Sequence, residues 1–244
     1  MIRVAWFYLV LVASSIVHAG GVIVAALLGV KRRPGGIYDW GSRDWGRDLL
    51  RAAGTPVDAQ GLERIPLDRP VVYASNHSSM FDIWTLAATL PGSVRFVAKQ
   101  ELVRVPLIGR AMLAAGHVVI DRFNRARAFE GYDRAARVIK SGISAVVFPE
   151  GTRSRTGELL PFRNAPFALA IAAQVPLVPV YVHNTFEILP KGGWRVRRRT
   201  IRLRIGEPIP TAGLSMDDRR QLSDRTRAAI LDLKARVDSG GGSR

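Results

Sequence analysis

The sequence predicts an α/β fold: a mixed central β-sheet flanked by helices, with a membrane-attached helical segment at the N-terminus. Three observations predict it. Residues 4–30 contain no Asp, Glu, Lys or Arg. From about residue 56, short β-branched runs alternate with stretches of helical period, the pattern of strands buried between helices. The length of 244 residues suits one such domain with a piece left over. The expected division is a membrane-associated helical segment at 1–55, the main domain at 56–238 and a flexible tail at 239–244, where the chain ends SGGGSR.

The first element is the apolar run. A helix crosses a bilayer core with roughly 20 apolar residues, so this run is long enough. Gly20-Gly21 in its middle allows instead two shorter helices that dip into one leaflet. Val17-His18-Ala19 passably imitates a signal-cleavage site. Apolar sequence continues beyond Gly21 and ends in Lys31-Arg32-Arg33, which favours retained attachment with that end facing the cytoplasm. The next stretch, residues 38–54, carries Trp40 and Trp45, rings suited either to the membrane–water boundary or to packing on the main domain.

Candidate strands then follow at 70–75 (PVVYAS), 94–98 (VRFVA), 117–120 (HVVI), 144–149 (SAVVFP) and 176–182 (PLVPVYV), and a basic run, RVRRRTIRLR at 195–204, closes the series. Between them, Met80 to Leu90 reads as a helix stopped by Pro91-Gly92, with Ser78 or Ser79 able to cap it. Pro106 and Gly116 bracket another. Asn124 can cap a third, which Gly142 ends. Ser215 with Asp218 resembles a capping box ahead of an apolar stripe at Leu222, Thr226, Ala229, Ile230, Leu233 and Val237.

Composition restricts the chemistry. Lys and Arg total 36 against 20 Asp and Glu, a net charge of +16, which favours an anionic partner. The absence of cysteine excludes disulfides, thiolate metal sites and a cysteine nucleophile. His18, His117 and His183 match no metal-ligand spacing, and no metal is expected.

Two constellations stand out. In NHSSMFD (76–82), His77 and Asp82 lie five residues apart, about 140° around a helix. They meet only if His77 precedes the helix and Asp82 sits in its first turn. A carboxylate on one imidazole nitrogen then fixes the tautomer and leaves the other nitrogen to take a proton. In FPEGTRS (148–154), a strand that stops at Pro149 and turns through Gly151 exposes backbone N–H groups beside Thr152 and Arg153, a setting for an oxyanion or phosphate. If the strands ending at Ser75, Ile120 and Phe148 are neighbours, then His77, Asp82, Arg122, Glu150 and Arg153 converge on one sheet edge, where open α/β sheets bind ligands.

NHSSMFD, GHVVIDR (116–122), FPEGTRS and VPLVPVYV (175–182), in this order and with these gaps, resemble the four blocks of the glycerolipid acyltransferase family, the H-x4-D enzymes that include 1-acyl-sn-glycerol-3-phosphate acyltransferases. The resemblance covers roughly residues 55–210. It implies transfer of a fatty acyl group from acyl-CoA or acyl carrier protein to the free hydroxyl of lysophosphatidate, giving phosphatidate for phospholipid synthesis. It implies no cofactor beyond the acyl donor, membrane phospholipids as surroundings, no nucleic-acid partner, and an active site on the cytoplasmic face of the membrane. By the resemblance, His77 is the base and Asp82 orients it. Arg122, Arg153 and Lys99 (in VAKQEL) hold the acceptor's phosphate, and Glu150, Gly151 and Thr152 shape its site. One departure is visible: where family members continue FPEGTRS with a pattern like F-K-x-G, this chain has Phe162-Arg163-Asn164-Ala165, which bears on acceptor identity.

Other readings compete. A different lysolipid acceptor fits the same motifs. A lipid esterase using Ser78 or Ser79 as nucleophile lacks a G-x-S-x-G elbow anywhere in the chain. A nucleic-acid-binding face built on RVRRRTIRLR lacks any accompanying recognition motif.

Overall fold

The computed structural model describes residues 1–120 and 125–240. Its centre is a seven-stranded sheet in the order β1-β7-β6-β2-β5-β3-β4. The strands are β1 (Val57–Gln60), β2 (Val72–Ser75), β3 (Val94–Lys99), β4 (Val118–Ile120), β5 (Ser144–Val147), β6 (Leu177–His183) and β7 (Ile201–Ile205). Every pairing is parallel except β6 with β7, so the sheet is mixed, as the sequence predicts.

Side chains on the central strands alternate between two cores. Tyr73, Phe96, Val146, Val178 and Val180 enter one; Val72, Ala74, Val97, Ala145, Val147 and Leu177 enter the other. Both faces are therefore apolar, which is why these strands read as continuous β-branched runs. The expected adjacency of the strands ending at Ser75, Ile120 and Phe148 holds only in part. β2 and β5 pair directly, but β3 lies between β5 and β4 and brings Lys99 to the same edge.

Helices α1 (Ile2–Leu27), α2 (Ile37–Ala53) and α3 (Met80–Thr89) cover the first core. Helices α5 (Arg125–Lys140), α6 (Ala165–Ala173) and α8 (Arg219–Gly240) cover the other side, while α4 (Ile108–Ala115) packs beside α1 and the short α7 (Thr185–Ile188) follows β6. α4 ends at Gly116 in the left-handed conformation, φ 85°, fitting its role as a terminator. The Ser215–Asp218 box forms, capping a 3-10 turn that leads into α8. Of the expected stripe on α8, Leu222, Thr226, Ile230, Leu233 and Val237 are buried and Ala229 is half-buried. Asn124, the expected cap of α5, lies outside the described residues. α8 continues through Ser239 and Gly240, positions expected to begin the tail.

The N-terminal run forms one continuous helix through Gly20-Gly21, long and apolar enough to cross a membrane. Its inner face belongs to the protein. Phe7 is buried against Phe81 and Trp84 of α3, and Ser14 and His18 both hydrogen-bond Asp48 of α2 at 2.9 Å. Its outer face exposes Trp6, Leu9, Val12, Ile16, Val24 and Leu27, positions that fall along one side of a helix. An exposed apolar stripe of this length marks membrane association. Of the two tryptophans after it, Trp45 packs inward, donating to Ser15 Oγ at 3.0 Å and meeting Trp84 edge-on. Trp40 is 40 % exposed.

Candidate active site

β2 ends at Ser75, and the chain then turns before α3. Asn76 replaces a strand residue here. Its side-chain amide donates to Val182 O and accepts from Val182 N, at 2.9 and 2.7 Å, extending the β2–β6 pairing by one rung. Ser79 is the N-cap of α3, accepting from Phe81 N at 3.2 Å, which leaves His77 ahead of the helix and Asp82 in its first turn.

The two side chains meet. His77 Nδ1 donates to Asp82 Oδ2 at 2.8 Å. The same oxygen accepts the backbone N–H groups of Ser78 and Ser79 at 2.6 and 2.8 Å, and Oδ1 accepts from Thr185 Oγ1 of α7. Since Thr185 gives its proton to Asp82, it takes one from Ser78 Oγ, 3.0 Å away. Asp82 is fully buried, and these donors stabilise its charge there. The opposite nitrogen of His77, Nε2, is left for a proton transfer. The ring stacks on Phe148, with centroids 4.0 Å apart, which fixes its plane.

FPEGTRS clasps the same histidine from the other side. His77 N donates to Glu150 Oε1 at 2.6 Å, and Ser154 N donates to His77 O at 2.8 Å. The other Glu150 oxygen accepts from Leu160 N at 2.8 Å. Glu150 is 4 % exposed. Burial pushes its carboxyl up to about 7, against the two N–H donors that pull it down. Expected at the acceptor site, Glu150 instead stands behind the wall and braces the loop that carries His77. Gly151 turns at φ 73°, where a Cβ would lie 2.8 Å from Arg163 Nε. The basic residue of the departure F-R-N-A thus lies directly over this glycine.

His77 opens onto an apolar cavity of about 260 Å³ between the sheet edge and helices α2, α3 and α4. Trp45, Met80, Ile83, Phe96 and Met112 are among its walls, and Lys99, Gly151, Thr152, Arg153 and Lys191 also line it. One space therefore joins the imidazole to three cationic side chains and an apolar chamber. Arg122 lies outside the described residues.

Sequence reasoning missed Thr185, Lys191 and the pairing role of Asn76. Lys191 donates to Thr152 Oγ1 at 3.1 Å. Nothing local marks Thr185 or Lys191, which lie more than 100 residues beyond His77 in the chain and reach the site only because β6 lies beside β2. Ser78 and Ser79, the alternative nucleophiles, are buried. Their hydroxyls are committed to Thr185 and to Leu189 O, not to His77.

A histidine backed by a carboxylate, a cationic rim and an apolar chamber on a mixed α/β sheet have the chemistry of an enzyme site suited to an amphiphile carrying an anionic group. Residues 56–183 match the family model described as Acyltransferase, and the chain belongs to that family. It is 33 % identical to human 1-acyl-sn-glycerol-3-phosphate acyltransferase alpha over 77 % of this chain and 67 % of that protein. It is also 33 % identical to the 1-acyl-sn-glycerol-3-phosphate acyltransferase of Cocos nucifera, over 86 % of this chain and 68 % of the relative. The aligned part thus spans about two thirds of these relatives' lengths. The crystal structure of the 1-acyl-sn-glycerophosphate (LPA) acyltransferase PlsC from Thermotoga maritima superposes with a TM-score of 0.79 at 26 % identity, covering 96 % of this chain and 95 % of that one. The enzyme is an acyltransferase of the 1-acyl-sn-glycerol-3-phosphate acyltransferase type.

Proposed function

We propose that this enzyme transfers a fatty acyl group from acyl-CoA or acyl carrier protein to the free hydroxyl of lysophosphatidate, giving phosphatidate, at the cytoplasmic face of the membrane. The observation that carries this reading is the His77–Asp82 couple facing one cavity with Lys99, Arg153 and Lys191. The names of the relatives support the same substrate class.

His77 Nε2 takes the proton of the acceptor hydroxyl as its oxygen attacks the thioester carbonyl. The tetrahedral oxyanion collapses, the ester forms, and the thiolate leaves with the proton held by the imidazolium. Asp82 holds the reacting tautomer and balances the charge that forms on the ring. Base assistance of this kind contributes roughly 10²- to 10⁴-fold, and holding two substrates in line adds to it. Lys99, Arg122 and Arg153 hold the phosphate, and Gly151 and Thr152 shape the approach. Residues 56–238 form the catalytic domain, and residues 1–55 attach it to the membrane. The basic cluster Lys31-Arg32-Arg33 after the apolar run supports the cytoplasmic orientation.

The test is acyl transfer by purified protein with a panel of lysolipid acceptors, read by mass spectrometry. Phosphatidate is the expected product. His77→Ala should lose at least ~10²-fold in turnover while melting like the wild type; wild-type turnover by that variant removes the proposed base. Free fatty acid released without an acceptor points to an esterase instead.

A further inference from the structure

The basic run singled out in the sequence is only partly strand: β7 begins at Ile201, and residues 190–200 cross the surface ahead of it. This stretch, PKGGWRVRRRT, holds Lys191 and four arginines and no acidic residue. Its Trp194 is 49 % exposed, and the Arg195 guanidinium lies over that ring at 4.9 Å. A large indole left in water beside a cation is a feature of groups that sit at a membrane boundary.

The segment is held in place. Tyr8 of α1 donates from its hydroxyl to Trp194 O at 2.9 Å, Arg197 N donates to Ile188 O at 2.9 Å, and Arg198 Nε donates to Gly54 O at 3.1 Å. Trp194 is thereby fixed beside Tyr8, near the N-terminal end of α1, the helix whose outer face exposes Trp6 and Leu9. At the base of the segment, Lys191 touches Thr152 and lines the cavity that His77 faces.

We infer that residues 190–200 form a second membrane contact, an interfacial arm that seats Trp194 at the headgroup boundary and places Arg195 and Arg197 among anionic lipid headgroups. One apolar contact alone gives marginal attachment, and a basic patch beside it supplies the second signal. Because Lys191 joins the arm to the cavity rim, seating the arm sets that rim against the lipid surface from which an amphiphilic acceptor is drawn. The inference rests on the membrane attachment proposed above but not on the identity of the acceptor.

Flotation of the full-length protein with phosphatidylcholine vesicles, with and without phosphatidylglycerol, tests it. Arg195→Gln with Arg197→Gln should weaken binding to the anionic vesicles by about tenfold or more and leave binding to the neutral ones unchanged. Trp194→Ala should weaken both. In Trp194→Phe, which preserves an aromatic ring, the fluorescence quenched by brominated lipid should fall relative to wild type. All three variants should retain wild-type turnover on acceptor dispersed in detergent. Unchanged flotation and quenching overturn the arm. Unchanged flotation with turnover lost only when acyl carrier protein is the donor assigns the surface to an acidic protein instead. A wild type that fails to acylate lysophosphatidate removes the proposed function and leaves the flotation result standing.

Discussion

Asp82 is the point through which the site is organised, because four donors converge on two oxygens that have no access to water. Thr185 supplies the only one of those donors on Oδ1, from an element remote in sequence. Thr185→Val keeps the shape and removes the hydroxyl, leaving Asp82 Oδ1 and Ser78 Oγ without that partner. A hydrogen bond to a charged group is worth about 1.5–3 kcal/mol, so kcat should fall by roughly 10- to 100-fold with little change in KM, and Thr185→Ser should recover most of it. A loss in the serine variant equal to that in the valine variant assigns Thr185 to packing alone. Glu150 gives a pH signature. Burial raises its carboxyl from the ordinary 4.5 to about 7, so the folded chain holds that proton better than the unfolded one. The resulting stabilisation is complete below pH 4.5 and is lost as pH rises through about 7. The stability advantage of wild type over Glu150→Gln, from urea unfolding at several pH values, should shrink across that window; a constant difference places the titration elsewhere. The histidine–aspartate couple was legible in the sequence because cap, helix start and both residues fall within seven positions. Thr185 and Lys191 were not, since only the β2–β6 pairing brings them there.

At the scale of elements, helix α2 is locked to the sheet by a buried ion pair. Asp39 Oδ1 accepts from Arg95 Nη1 of β3 at 2.6 Å, and its Oδ2 accepts from Ser93 Oγ at 2.5 Å and Gly35 N at 2.8 Å. Arg95 is 2 % exposed and also donates to Ala115 O, tying in α4. Removing one partner of such a pair strands the other charge, so Arg95→Met should cost about 3–5 kcal/mol in unfolding free energy. Arg95→Met with Asp39→Leu should recover much of that loss, because no charge then remains buried; a double variant as unstable as the single one argues against the pair. The pair also shows where sequence patterning stops. Arg95 lies inside VRFVA, a run whose β-branched residues announce a strand but not that its arginine points inward. β1, with only Val57 and Ala59 apolar, gave too weak a signal to be read as an edge strand. α6, APFALAIAA, is apolar on every side and so shows no helical period. β2, β3, β5 and β6 were legible because burial on both faces demands near-continuous apolar runs, and β4, at the other edge, from its short β-branched run.

For the whole molecule, the decisive question is how a protein of net charge +16 sits on its membrane, and the ends of α1 bear on it. Near the N-terminal end, Arg3 Nη2 donates to Ala53 O at 3.4 Å. Just past the C-terminal end, Arg32 donates to Ala114 O at 2.9 Å, and the Tyr38 hydroxyl donates to Val30 O at 2.7 Å. Between them Phe7, Ser14 and His18 face inward. A helix bound to one globular body at both ends and along one face cannot also run through a bilayer without breaking those contacts and taking a buried polar stripe into hydrocarbon. We therefore expect the apolar run to lie along the membrane plane, with its exposed stripe toward lipid. The sequence left open one crossing helix or two shorter helices broken at Gly20-Gly21 that dip into one leaflet; the run is one helix without that break, and its polar inner face is the reason to expect it in the plane. The absence of cysteine makes a direct test simple. Ile2→Cys and Val30→Cys replace exposed residues near opposite ends of the helix. A membrane-impermeant maleimide applied to sealed, oriented vesicles should label both from the same side, the side on which the catalytic domain is protease-accessible. Labelling of the two positions from opposite sides establishes a crossing helix, and with it a membrane-bound state in which the contacts of Arg3, Phe7 and His18 with the domain do not form together.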